Sequence, residues 1–157
     1  MDVGTGTGVL VEYILNFVGE EGEVIGVDIS ERMIEKAREK YKGKKNVRFL
    51  HCDVMDLEFE EYFDAIICYS VFPHFEDKKK TVQKLSTMLK ENGKLVICHS
   101  QSRQEINNLH KNLPEPVKRH FLPELFVIIK WIEEASLKPK YWIDNEVMFL
   151  VIAQKSK

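Results

Sequence analysis

Cysteine is scarce in this 157-residue chain: Cys52, Cys68 and Cys98 are odd in number, and none belongs to a CxxC pair. That pattern excludes a disulfide framework and a zinc ribbon as the basis of the fold, and makes a reducing, cytoplasmic setting the expectation. An excess of one charge is lacking as well. Lys and Arg number 23 against 25 Asp and Glu, a formal net charge of -2, so there is no overall basic field to hold a nucleic-acid backbone. No apolar run approaches the roughly 18 residues of a spanning helix. The apolar stretch at 9–18 is interrupted by Glu12 and has no basic segment before it, which argues against an export signal. A soluble protein without a membrane contact is expected. Internal repeats, low-complexity tracts and long linkers are absent too. With 44% hydrophobic residues, residues 1–157 read as a single domain with a substantial core.

What is present is an alternation of short β-branched runs with longer helical patterns, the signature of βαβ units and a mostly parallel sheet. Strands are predicted at 23–29, 47–53, 63–70 and 94–100. Between them, Ser30 is placed to cap a helix over 31–42, whose apolar stripe is Met33, Ile34, Ala37 and Tyr41. Asp77 can cap a second helix carrying Val82, Leu85, Met88 and Leu89, with Asn92-Gly93 as its left-handed stop. The first helix, from about residue 8 to 18, is apolar almost all round, which predicts a central helix covered by other elements. After residue 100 a polar helical stretch at 101–112 is broken by Pro114 and Pro116, and Pro123 opens an apolar helix that runs to 136. The chain closes with residues 140–143, a turn at Asp144-Asn145-Glu146 and an apolar run at 147–153, an antiparallel hairpin by pattern. The expected fold class is α/β: a doubly wound, mostly parallel sheet with helices on both faces and a C-terminal antiparallel hairpin. The Lys78-Lys79-Lys80 run reads as a solvated helix start.

The chemistry starts at residues 2–8, Asp-Val-Gly-Thr-Gly-Thr-Gly, where a strand should turn into a helix. Glycines there let backbone approach a ligand without side-chain obstruction, as nucleotide-like ligands require. Asp28 closes the second strand, where an acid can accept both ribose hydroxyls of an adenosine, and Asp53 closes the third. In a doubly wound sheet such strand ends converge on one crevice. Each feature also has a purely local reading: a tight turn for the glycines, a helix cap for Asp28, a turn cap for Asp53.

These residues resemble the class I S-adenosylmethionine (SAM) dependent methyltransferase family, whose first motif is an acid followed by GxGxG, as at Asp2, Gly4, Gly6 and Gly8. The resemblance covers nearly the whole chain: Val-Ile-Gly-Val-Asp28, Cys52-Asp53-Val54, the fourth-strand run Phe-Asp-Ala-Ile-Ile-Cys, and the closing hairpin. It is loosely of the ubiquinone/menaquinone-biosynthesis type, a group with varied acceptors. The resemblance implies that Gly4, Thr5, Gly6 and Gly8 lie against the methionine and ribose of SAM, with Asp2 at the amino end. Asp28 would hold the ribose and Asp53 and Val54 the adenine, with Ile29, Met33 and Tyr69 among the cofactor residues. S-adenosylhomocysteine (SAH) would be the product. Members of that family carry several apolar residues and one or two helices before the first acid. Here Met1 alone precedes Asp2, so a shortened first strand and a domain without N-terminal cap helices are expected.

Methyl transfer from a sulfonium is an in-line displacement, for which positioning and exclusion of water can supply much of the rate. If the acceptor must lose a proton, His74 and His99, after the fourth and fifth strands, are the candidate bases. Each can equally be an ordinary loop or strand-end histidine, and His110 and His120 are weaker candidates. No short ligand spacing or carboxylate cluster marks a metal site. Residues 68–74 lack the Asn/Asp-Pro-Pro-aromatic signature of amino methyltransferases, which turns the expectation toward a small-molecule acceptor. Phe72, with Tyr69 and Phe75, can line its pocket or belong to the core. Residues 101–136 form the expected acceptor-side insertion, with Arg103 and Asn107 as contacts. Two other readings stand beside this one: a non-catalytic SAM-binding domain that needs a partner, and a nicotinamide-dependent oxidoreductase. The latter's usual loop is GxGxxG, and here Val9 follows Gly8.

Overall fold

The computed structural model describes residues 1–156 and divides into two compact units, Met1–Glu58 and the chain from Phe59 onward. The first unit runs β1 (Asp2–Val3), α1 (Val11–Val18), β2 (Val24–Asp28), α2 (Glu31–Lys40) and β3 (Val47–His51). Its strands are parallel in the order β3-β2-β1, with Asp2 beside Gly26 and Val24 beside Val47. Parallel neighbours need crossovers, which α1 and α2 provide. Val11 and Val24 pack with Ile34, Ala37, Tyr41 and Phe49 in one buried cluster.

Two expectations for this unit are corrected. The first helix begins at Val11, not near residue 8, because positive φ at Gly4, Gly6 and Gly8 keeps the preceding turn out of a right-handed helix. Nor is it enclosed. Eight residues make about two turns, and only the stripe of Val11, Ile14 and Leu15 meets the core, leaving Tyr13 exposed and Phe17 91% exposed. Ser30 does occupy the N-cap of α2, but its side chain makes no capping bond; its carbonyl accepts from the Met33 and Ile34 amides.

The second unit runs β4 (Phe63–Tyr69), α3 (Lys78–Met88), β5 (Leu89–His99), α4 (Arg103–Lys111), α5 (Leu125–Glu134), β6 (Leu137–Asp144) and β7 (Phe149–Lys155). β4 and β5 are parallel; β7 runs antiparallel to β5 and β6 antiparallel to β7. Asp77 caps α3 as expected, accepting from the Lys80 amide at 3.0 Å. Asn92-Gly93, however, does not end that helix. α3 stops at Met88, whose carbonyl accepts from the Tyr62 amide, and Leu89 is already extended, wholly buried and paired with Phe63. The next pair is Ala65 with Lys94, so the residues between bulge out of the ladder, with Asn92 at φ 63°. The residue type suits a left-handed conformation, and the sheet, not the helix, uses it. The closing hairpin is present, with β6 starting at Leu137, three residues earlier than predicted. The fold is thus α/β, with mostly parallel strands and an antiparallel C-terminal hairpin. No helix among the described residues is long and apolar enough to cross a membrane.

α4 is positioned by a complete capping box. The Glu105 amide donates to Ser102 Oγ at 3.2 Å, while the Ser102 amide donates to Glu105 Oε2 at 2.9 Å. Ser102→Ala should therefore lower unfolding stability by about 1 kcal/mol, read as a reduced urea midpoint at constant m-value. An unchanged midpoint would show that α4 is held by packing alone.

Candidate functional site

The cofactor half of the candidate site belongs to the first unit and is built on the turn between β1 and α1. The Gly4 and Thr5 amides both donate to Val27 O, at 2.8 and 3.0 Å, and the Gly8 amide donates to Thr5 O at 2.8 Å. Gly8 must be glycine for two reasons: its φ is +76°, and a Cβ there would stand 2.7 Å from Tyr41 Cε2. The tyrosine hydroxyl donates to Gly8 O at 2.7 Å, locking the end of the turn to α2's C-terminus. Gly6 is the opposite case. Its φ is +54°, yet no heavy atom lies within 4 Å of where a Cβ would be, so the tip of the turn presents bare backbone to open space.

Asp28 governs that tip. Its Oδ2 accepts from the Gly6 amide at 2.8 Å and its Oδ1 from the Ser30 amide at 2.8 Å. Each carboxylate oxygen keeps a further lone pair, so two more donors, such as a vicinal diol, can be accepted while the loop stays held. The helix cap read for Asp28 is not formed: Ser30 is the N-cap of α2, and at that helix end Asp28 takes only the Ser30 amide, with its ligand capacity intact. The turn cap read for Asp53 is formed: exposed, Asp53 caps a short 3-10 turn over Val54–Asp56 by accepting from the Met55 amide at 2.9 Å. Val54 is buried beneath that turn. Ile29, 72% exposed, and the exposed Met33 and Met55 are apolar side chains left in water near the two acids in sequence. They can cover a flat apolar group. Met55 was not singled out from the sequence; its only signal was a place two residues after Asp53.

Asp2 is 2% exposed and accepts from Thr5 Oγ1 at 2.7 Å. Burial pushes its pKa up to about 6 and Asp28 adds to the rise, while the Thr5 hydroxyl and the chain-start ammonium oppose it. A carboxyl so placed gains from a cationic ligand group, as does the Asp28 that disfavours its charge.

The acceptor-side candidates belong to the second unit. Tyr69, at the end of β4, donates to Ser100 Oγ at 3.3 Å. Phe72 is wholly buried and packs edge-on against Phe75, which gives it a core role. His99 ends β5, is 4% exposed and has an Nε2 with no hydrogen-bond partner. Burial first, then His74 and His110, push its pKa down to about 4, so it is neutral at pH 7. His74 is exposed, and its pKa is lowered by the part of its ring that is desolvated, then by His110, His120 and Lys78. Arg103 pairs with Asp144 at 3.0 Å and reaches Glu124 at 3.9 Å, on the wall of an open groove of about 470 Å³. Both polar atoms of Asn107 are engaged by Leu122, Nδ2 donating to its carbonyl at 3.0 Å and Oδ1 accepting from its amide at 2.7 Å. Asn107 thus splices α4 to the chain ahead of α5. Among the described residues no group of three His, Cys, Asp or Glu is arranged to hold a metal ion.

The family model described as a methyltransferase domain matches residues 1–147 and runs through both units. A demethylmenaquinone methyltransferase of Staphylococcus saprophyticus is 35% identical over 104 residues, 66% of this chain and 44% of the relative. The Staphylococcus aureus protein of the same name is 34% identical over 104 residues, 66% of this chain and 43% of its own. The match therefore spans less than half the length of these relatives. Among solved structures, a SAM-dependent methyltransferase from Aquifex aeolicus superposes with a TM-score of 0.77 at 24% identity, covering 98% of this chain and 79% of its own. One from Mesorhizobium loti superposes at 0.78 and 14% identity, covering 98% and 89%. At such identities these two report the fold. With the glycine turn, the two strand-end acids and the family match in agreement, this chain belongs to the SAM-dependent methyltransferase family.

Proposed function

We propose that the chain binds SAM on the glycine turn of its first unit and transfers the methyl group to a small-molecule acceptor. The observation that carries the reading is Asp28 holding the Gly6 amide while nothing occupies the space where a Gly6 side chain would be. When bound, the cofactor supplies an electrophilic methyl on a sulfonium. The protein's part is to bind and orient. The turn from Gly4 to Gly8, whose bare tip is Gly6, receives the methionine and ribose portion, and Asp28 accepts from the ribose hydroxyls through its remaining lone pairs. Asp53 and Val54 meet the adenine edge, and Ile29, Met33 and Met55 cover its faces. Asp2 takes the ammonium group.

His99 is neutral at pH 7 and its Nε2 is not committed to the protein, which suits it to accept a proton or hydrogen bond from an acceptor hydroxyl. His74 is a second candidate base. Arg103 keeps an exposed groove in the same unit, whereas Asn107 supports the acceptor side by holding Leu122. The name of the curated relatives makes a quinone nucleus the first acceptor to try.

Calorimetric titration with SAM and SAH, with NADH as the control, should show binding of the first two alone, and Asp28→Ala should weaken it at least tenfold. NADH binding, or an unaffected Asp28→Ala variant, would overturn the reading. Asp2 gives a second test. Its raised folded pKa means that its contribution to stability is fully present below the unfolded value near 4 and is lost as pH rises through about 6. Asp2→Asn should then stabilise the ligand-free protein at pH 7, by roughly 3 kcal/mol at most. An ammonium partner reverses that balance in the complex. Wild-type affinity for SAH should fall by about tenfold between pH 6.5 and 5, and the Asn variant should bind more weakly without that slope. A wild-type affinity flat over this range would remove Asp2 from the ammonium site.

A further inference from the structure

We propose that residues 113–122, between α4 and α5, form a lid held shut by a latch of His74 and His120 that opens when both histidines are protonated. Most of this segment is exposed up to Leu122, and it carries Pro114, Pro116 and one short turn at Val117–Arg119. Its own packing therefore does little to keep it in place. Leu122 anchors its end in the core at 1% exposed, and four side-chain contacts tie the segment down. His120 Nδ1 lies 2.8 Å from His74 Nδ1, and His110 Nδ1 donates to the His120 carbonyl at 2.7 Å. Asn107 brackets Leu122, and the Lys78 ammonium sits 5.2 Å from the centre of the Phe121 ring.

The His74–His120 contact is the one that a proton can break. Two Nδ1 atoms in hydrogen-bond contact need one donor and one acceptor, so one of them must be deprotonated. When both carry protons, two donors and two positive charges face each other at 2.8 Å. The surroundings do not offset this. Lys78 at the start of α3 and His110 on α4 disfavour charge on both rings, and His99 at the end of β5, kept neutral at pH 7 mainly by burial, offers no negative charge. The acid acting on His120 is Glu115, and Arg119 engages it at 2.9 Å. Protonation is thereby disfavoured in the closed lid, and released histidines return toward their ordinary value near 6.5. With His74 held at about 4 in the closed lid, the open-to-closed ratio should rise about tenfold between pH 7.5 and 5.5.

The latch does not depend on the proposed reaction; only its use, covering the acceptor side, rests on the methyl-transfer reading. The test accordingly needs no acceptor. Amide hydrogen exchange is measured on the intact chain at pH 7.5 and 5.5, corrected for intrinsic rates, with the amides of β5 and β7 as internal reference. The wild-type His120 and Leu122 amides, which donate to Val117 O and Asn107 Oδ1, should lose at least tenfold protection at pH 5.5 relative to those strands. In His74→Gln they should be less protected at pH 7.5 and show a smaller pH response. His120→Gln, measured in parallel, should repeat this at Leu122 and guards against one variant perturbing the fold. Protection that tracks the reference strands at both pH values would overturn the latch, as would variants with the wild-type pH response.

Discussion

The hydrogen bond from the Gly6 amide to Asp28 is the contact on which the candidate cofactor site depends. A turn with three left-handed glycines has high conformational entropy when free, and ordering it only on ligand binding would cost affinity. Asp28 sits on the neighbouring strand, 22 positions away, and ties the tip of the turn to β2 in advance. Tyr41 does the same at the other end through Gly8 O, and Val27 O takes the two amides nearest β1. The turn is preorganised at three points while its outer surface remains bare. Asp28 can hold the loop and still receive a ligand because a carboxylate has four acceptor positions and the protein uses two.

Much of this was legible in the sequence because it is local. GxGxG at a strand-to-helix junction, acids at the ends of β2 and β3, the Asp77 cap and the closing hairpin each rest on residue types whose conformational preferences are strong. The misreadings have equally specific causes. Asn92-Gly93 announces a left-handed turn, but residue type alone does not say whether a helix or a strand is being interrupted; the pairing of Leu89 with Phe63 decides that. The first helix reads as apolar all round, yet two turns can present only one stripe to the core, so Phe17 is left in water. Ser30 has the position of a cap without its hydrogen bond, since the nearby Asp28 takes the Ser30 amide and the Ser30 carbonyl receives the helix.

The candidates of the second unit were harder to read because their contacts join positions far apart in the chain. His74 meets His120 across 46 residues, and Asn107 meets Leu122 across 15. Neither pairing has a motif. The sequence marks His74 and His99 only by their place after strands; it does not show that His99 is buried with a free Nε2, or that four histidines influence one another electrostatically. Burial, ahead of any charged neighbour, lowers the pKa of His74 and His99, so both rings are neutral at pH 7.

The central claim, that the glycine turn and the two strand-end acids form one preorganised SAM site, is tested most directly by titrating isotopically labelled protein with SAH and following backbone amide resonances. The account predicts saturable shifts concentrated at Gly4 to Gly8, Ser30, Val54 and Met55, with the Gly6 amide still hydrogen-bonded in the complex. Saturation that leaves those amides unmoved, or shifts confined to the second unit, would contradict it.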